Sequence, residues 1–130
     1  MIKTGIDVIQ ISRVADKINK NAGFLDIILT EKEKQYCKTK VGQVTDDMKR
    51  FQSIAGIYAV KEAFFKALGR GIKSLSEFQS VEVLHTEDGQ PILEIVDTQK
   101  LSIYPDKFKD ISISISHDGN IAMAICVIEI

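Results

Sequence analysis

The sequence predicts an α+β domain, a mainly antiparallel sheet carrying one long and several short helices. Three observations predict it. Apolar residues repeat with a helical period through most of the chain up to Leu68, and with a period of two beyond Gly71. Two Asp-Gly pairs, Asp88-Gly89 and Asp118-Gly119, each separate runs rich in Ile and Val, the pattern of tight hairpins. The order of the elements, helices followed by hairpins, favours segregated helices and strands over a parallel sheet.

The opening run "MIKTGIDVIQI" is rich in Ile and Val and reads as a strand. Ser12 is placed to N-cap a short helix running to Lys20. Thr30 and Glu33 in "TEKE" have the spacing of a capping box, which opens a second helix to about Lys38. Thr45, followed by Asp46 and Asp47, opens the long helix, and Gly69 closes it as the residue after the C-cap. "SVEVLHT" and "PILEIVD" form the first hairpin, a short helical or irregular piece runs to Lys107, and "ISISIS" and "IAMAICVI" form the second. Alternation along that last hairpin suggests an Ile/Met/Val face and a small-residue face of Ser, Ala and Cys. A half-exposed antiparallel sheet normally shows clear polar alternation, so the second face needs a cover, and a further copy of the chain is a plausible one.

A chain of 130 residues without repeats or linker-like tracts reads as one domain, 1–130. Its 17 basic and 18 acidic residues nearly cancel, so no global field points to nucleic acid or a membrane surface. Cys37 and Cys126 match no metal or redox spacing and read as free thiols of a reducing cytoplasm. The N-terminus has no long apolar core, and no segment approaches a spanning helix. The expectation is a soluble cytoplasmic protein. Neither a Ser-His-Asp spacing, a Gly-x-Ser-x-Gly elbow nor a Gly-rich phosphate loop occurs.

Candidate chemistry lies in four places. In "IAGIYAVKEAFFKALGRG" the long helix is apolar or small almost all round, with Phe51, Tyr58, Phe65 and Leu68 expected to anchor it; between Ile54 and Leu68 only Lys61, Glu62 and Lys66 are charged. Geometry alone allows Glu62 and Lys66 to be an ordinary (i, i+4) surface pair. Asp7, in the strand "TGIDVI", must face water, a base or a cation, and Gly5 clears the same face of the strand. If that strand packs beside the long helix, Asp7 and Glu62 supply two carboxylates with a lysine nearby, which is how Mg²⁺ is held when phosphate oxygens complete its octahedron. His117 stands where "SISIS" enters the last turn, a place where histidines are commonly just solvated. Arg13, Lys17 and Lys20 share one face of the first helix, which is ordinary solvated surface or a match for an acidic protein partner.

Taken together, "GID" near the start, "AVKEAFFKALGRGI" in the middle and "SISHD" near the end resemble holo-acyl-carrier-protein synthases, the small bacterial 4′-phosphopantetheinyl transferases. "FLDIILTEKE" and "GQPILEI" extend the resemblance over nearly the whole chain. It implies transfer of the phosphopantetheine arm of coenzyme A to a serine of apo acyl carrier protein, with adenosine 3′,5′-bisphosphate leaving, as a step toward fatty acid biosynthesis. It also implies that Asp7 and Glu62 bind Mg²⁺ and that Lys66 neutralises phosphate charge. Gly69 and Gly71 would let the chain pass close to coenzyme A, and His117 would lie near that ligand across a subunit boundary of a homotrimer. Arg13, with Lys17 and Lys20, would meet the acidic recognition helix of the carrier protein. On this reading the charges of the long helix face a ligand cavity instead of core. The family usually has an arginine where this chain has Ile57, and the acceptor of the serine proton is open between Glu62 and a water at the metal. The alternatives are a non-catalytic α+β module binding an acidic protein or a nucleotide, and a transferase acting on a peptidyl carrier, whose members are about twice this length.

Overall fold

The computed structural model describes residues 1–39, 47–101 and 107–130. Strand β1 (Ile2–Gln10) leads into helices α1 (Ile11–Lys20), α2 (Phe24–Ile28), α3 (Glu31–Thr39) and α4 (Asp47–Ala67). A 3₁₀ turn (Leu75–Gln79), the hairpin β2 (Val81–His85) and β3 (Pro91–Ile95), helix α5 (Thr98–Leu101) and the hairpin β4 (Asp110–Asp118) and β5 (Ile121–Glu129) follow. Both sheets are antiparallel, one in the order β1-β5-β4 and the other β2-β3. The α+β expectation and both hairpins hold. Thr45 and Asp46, expected to open the long helix, lie outside the described residues.

Two helix starts differ in kind. Thr30 and Glu33 form the expected capping box, with the Thr30 amide donating to Glu33 Oε1 at 2.8 Å and the Glu33 amide to Thr30 Oγ1 at 3.4 Å. Ser12 is not the N-cap of α1. The N-cap position is Gln10, two residues earlier, and the first amides of the helix are satisfied by Asn120 of the β4–β5 turn: Ile11 N–H donates to the Asn120 carbonyl at 2.8 Å and Ser12 N–H to Asn120 Oδ1 at 2.9 Å. A distant side chain replaces the local cap. Helix α2 had no sequence signal of its own, since a five-residue turn is too short to display a period. The close of α4 matches expectation. Gly69 and Gly71 have φ of +84° and +67°, and their amides donate to the carbonyls of Lys66 and Phe65.

Helix α4 lies across the three-stranded sheet. Register places Ile111, Ile113, Ile115 and His117 of β4 beside Ile128, Cys126, Ala124 and Ala122 of β5, all on the helix side. The expected division into an Ile/Met/Val face and a small-residue face therefore fails, because cross-strand pairing puts the isoleucines of β4 and the small residues of β5 together. The outer face combines Ser112, Ser114 and Ser116 with Met123 and Ile125, and with Ile2, Ile6 and Val8 of β1; the last two are each 53% exposed. Of the residues expected to anchor α4, Phe65 is fully buried while Phe51, Tyr58 and Leu68 are half-buried at its flank. The buried side carries Ile54, Ile57, Val60 and Phe64 as well. Cys37 and Cys126 are free, buried thiols, and burial pushes both up to about 12. Among the described residues no helix is long and apolar enough to cross a membrane.

Lys61 belongs to this core, not to a ligand cavity, which corrects the expectation that the helix's charges face one. Its ammonium is wholly buried and uses all three hydrogens, on Glu33 Oε1 at 2.6 Å and on the carbonyls of Ile28 at 2.8 Å and Phe78 at 2.7 Å. Burial pulls its pKa below the usual lysine range, against the opposing pull of Glu33 and Glu82. Glu33 Oε2 in turn accepts the Val83 amide at 2.8 Å, and Thr30 Oγ1 donates to Glu82 Oε2 at 2.5 Å. Replacing one member of such a pair leaves the other charge buried and unpaired, so Lys61→Met is expected to lower unfolding free energy by about 3–5 kcal/mol. Chemical denaturation checks it, and a loss under about 1 kcal/mol would show that Glu33 finds another partner.

Candidate active site

Gly5 sets the geometry of the site. A side-chain carbon built on it would come within 2.0 Å of the Ala63 carbonyl oxygen and 2.5 Å of the Ala67 amide nitrogen, both backbone atoms of α4. Only glycine lets β1 and α4 approach so closely. Two residues on, on the same face of the strand, Asp7 then meets the C-terminal half of the helix. Lys66 Nζ donates to Asp7 Oδ1 at 2.9 Å and to the Ile6 carbonyl at 3.1 Å. Lys66 thus pairs with Asp7 across the fold.

Glu62 stands one turn before Lys66 and is half-buried. Burial raises its pKa above the ordinary 4.5, and the charge of Asp7 raises it further; a hydrogen bond with the Tyr58 side chain and the ammonium groups of Lys66 and Lys17 pull the other way. Burial and the neighbouring Glu62 push the Tyr58 phenol up to about 12. Two carboxylates therefore sit within electrostatic reach of each other in partly dry surroundings, with one ammonium already on Asp7. That donor set suits a hard divalent cation, with hard oxygen donors and net negative charge at one spot.

The other predicted residues fall around this centre unevenly. Gly69 and Gly71 follow directly on α4, and a side-chain carbon at either would meet nothing within 4 Å, so that loop is open. Between them Arg70 turns inward, binding Glu77 through both guanidinium nitrogens, donating to the Leu101 carbonyl at 3.0 Å, and lying 5.3 Å from the centre of the Phe65 ring. Arg13, Lys17 and Lys20 are all exposed on α1. Lys17 lies 5.6 Å from the Phe24 ring centre and 6.0 Å from that of Tyr58, so the basic face borders the acidic pair. Its link to the site, like that of Tyr58, was missed in the sequence; Tyr58 stands at i−4 from Glu62, a spacing that was there to be read.

His117 is not with them. Its Nε2 lies 3.0 Å from the Gln52 carbonyl oxygen and against Gly56, whose missing side chain leaves room for it. Gly56 is six residues before Glu62, about 120° round α4 and ~9 Å along it. There His117 lines a pocket of about 220 Å³ with Tyr36, Ile57, His85, Pro91 and Ile115.

The raised pKa of Glu62 has a defined consequence for stability. Between 4.5 and the folded-state value the folded chain keeps a proton that the unfolded chain has released, so stability falls as pH rises through that window, and the whole cost is present above it. Glu62→Gln is therefore expected to melt higher than the parent at pH 7, the gap closing as the pH falls to 4.5. Thermal melts across pH check this; a lower melting temperature for Glu62→Gln at pH 7 would show that Glu62 is stabilised in its charged form.

Residues 3–126 match the family model of the 4′-phosphopantetheinyl transferase superfamily. The chain is 36% identical to the holo-[acyl-carrier-protein] synthase of Clostridium tetani over 96% of its own length and 93% of that protein's. Its fold superposes on the holo-[acyl-carrier-protein] synthase of Neisseria meningitidis with a TM-score of 0.82, at 25% identity over 99% of each chain. The Helicobacter pylori enzyme, solved in complex with coenzyme A, gives a TM-score of 0.76 at 30% identity, over 99% of this chain and 100% of that one. The chain belongs to the 4′-phosphopantetheinyl transferase superfamily, among its holo-acyl-carrier-protein synthases.

Proposed function

We propose that this chain transfers 4′-phosphopantetheine from coenzyme A to a serine of apo acyl carrier protein, releasing adenosine 3′,5′-bisphosphate, in the cytoplasm and in the service of fatty acid biosynthesis. The observation that carries the reading is the acidic pair Asp7 and Glu62 with Lys66 laid on it. Among the described residues no group of three or more His, Cys, Asp or Glu side chains is placed to hold a metal ion. A Mg²⁺ ion held by Asp7 and Glu62 would thus complete its shell with pyrophosphate oxygens and water. Bound there, it would supply orientation of the pyrophosphate and stabilisation of charge on the leaving oxygen.

The chain's own residues have distinct tasks. Lys66 uses two hydrogens on Asp7 and Ile6, keeps a third for a phosphate oxygen, and has a side chain 49% exposed, open to a ligand. Gly69 and Gly71 use their amides to close the helix, so their part is to leave space for coenzyme A rather than to bind it. The serine oxygen attacks the β-phosphorus as the bond to the bisphosphate oxygen breaks, its proton passing to Glu62 or to a water beside it. Arg13, Lys17 and Lys20 offer an acidic recognition helix a cationic edge beside that reaction centre.

A homotrimer with sites between subunits completes the reading. In one chain His117 and the acidic pair lie on different flanks of α4, so a single coenzyme A meets both only if a neighbouring chain supplies one of them. The outer sheet face, with Ile6, Val8, Met123 and Ile125 exposed, supports burial against another copy. Ile57, in place of the family's usual arginine, gives the His117 pocket an apolar wall.

The test is direct. Incubated with coenzyme A, Mg²⁺ and apo acyl carrier protein, the enzyme is expected to add one phosphopantetheine to the carrier by mass spectrometry, with Asp7→Ala and Glu62→Ala folded but nearly inactive. Full rates in excess chelator would end the metal reading. For the shared site, inactive Glu62→Ala and His117→Ala chains, mixed and reassembled, are expected to regain part of the turnover. A fully active monomer by light scattering would refute both the trimer and the shared site.

A further inference from the structure

We infer that Arg70 is a positioning residue for coenzyme A: locked onto Glu77, it holds the glycine loop after α4 in the one course that leaves room for the ligand. The inference rests on the reading that Gly69 and Gly71 border coenzyme A. Arg70 stands between those two glycines, one helical turn beyond Lys66. Both glycines have positive φ, and a side-chain carbon on either would meet nothing within 4 Å. The Arg70 side chain, only 16% exposed, turns inward instead. Its two terminal nitrogens grip the two oxygens of Glu77, Nη1 donating to Oε1 at 3.1 Å and Nη2 to Oε2. Nη1 also donates to the Gly71 carbonyl at 3.3 Å and Nη2 to the Leu101 carbonyl at 3.0 Å, and the Phe65 ring of α4 lies 5.3 Å from the guanidinium carbon.

Glu77 is where the loop is gathered. Its carboxylate, almost fully buried, also accepts the amides of Lys73 at 2.7 Å and Ser74 at 3.1 Å on Oε1. Residues 69–74 form neither helix nor strand, so their course is set by where they are tied, to the Phe65 and Lys66 carbonyls at one end and to Glu77 at the other. Arg70 couples the two ends, because one guanidinium touches α4, the 3₁₀ turn and α5. Its planar fork makes that link directional, as a single point charge would not. Without the link the loop regains the wide freedom of its glycines, and a ligand that needs one course binds more weakly by the fraction of time the loop holds it. The ordinary reading of the pair is an ion pair that steadies the end of α4 and nothing more. The readings part in the kinetics: lost stability removes active enzyme and lowers apparent kcat, whereas a loosened loop raises KM for coenzyme A alone.

Steady-state transfer is the test, with coenzyme A and the carrier protein varied in turn well below the melting temperature. Arg70→Met keeps an unbranched stem against Phe65 and loses the fork. It is expected to raise KM for coenzyme A about tenfold, with kcat and the KM for carrier protein within about twofold of the parent. Arg70→Lys, which keeps the charge without the fork, is expected to fall between the two. Glu77→Gln keeps an acceptor for the Lys73 and Ser74 amides, is expected to give the same shift, and serves if Arg70→Met does not fold. Combining the two substitutions is expected to add nothing further, since the residues act as one pair. A parent-like KM for coenzyme A in folded Arg70→Met or in Glu77→Gln overturns the inference, as does an equal rise in both KM values. Hydrogen exchange of residues 69–74 in the parent, with and without coenzyme A and with no carrier protein, tests the underlying reading by itself. Slowed exchange beside an unchanged KM in the variants sinks the role of Arg70 alone, whereas no slowing sinks the glycine-loop reading and the inference with it.

Discussion

The contact between the Gly5 backbone and the backbone of α4 at Ala63 and Ala67 is the constraint on which the rest of the molecule depends. It brings a strand and a helix closer than any side chain permits. The neighbouring positions comply, with Ala59 and Ala63 on the helix and Ala122, Ala124 and Cys126 on the adjoining strand all small and buried. Because strand side chains alternate, the same contact fixes where Asp7 must emerge, and the helix delivers Glu62 and Lys66 to meet it. The candidate site is therefore a by-product of how tightly two elements pack, with one carboxylate carried by a strand and the other by a helix.

A second constraint works on the other flank of α4. Lys61 and Glu33 join the end of α2, the start of α3, the 3₁₀ turn and strand β2 through one buried set of hydrogen bonds. A buried ion pair is weak grounds for net stability, because desolvation offsets much of its attraction. Its value here is in selection: an ammonium with three acceptors at fixed places tolerates one arrangement of those four segments and penalises others. Adjacent residues on one helix thus have opposite duties, Lys61 holding the scaffold and Glu62 facing outward.

Much of the fold was legible in the sequence because its signals are local. The Asp-Gly turns, the Thr30 and Glu33 box and the glycine after α4 each need only a few neighbouring residues to be read. Non-local partners were not legible. Asn120 caps α1 from more than a hundred residues away, which left Ser12 as the apparent cap. The faces of the last hairpin depend on pairing register, which alternation within each strand does not reveal. On α4 a helix apolar nearly all round gave no direction by which to tell Lys61 from Glu62, although 100° separates them. Of the site, Asp7, Glu62 and Lys66 came from motif and chemistry and meet in space. Tyr58 and Lys17 gained their relation to Glu62 only from the packing of α1 and α2 against α4.

The Asn120 cap has a thermodynamic consequence. The first amides of α1 are satisfied by the tip of the β4–β5 hairpin, so Ile11 and Ser12 lose their partners whenever that tip opens, even while the remaining turns of the helix stay intact. Hydrogen exchange at those two amides reports on the hairpin and not on the helix that contains them. The strand turn beside His117 and the first two amides of the helix bearing Arg13 and Lys17 are thereby coupled, and anything that stiffens that turn slows exchange at Ile11 and Ser12.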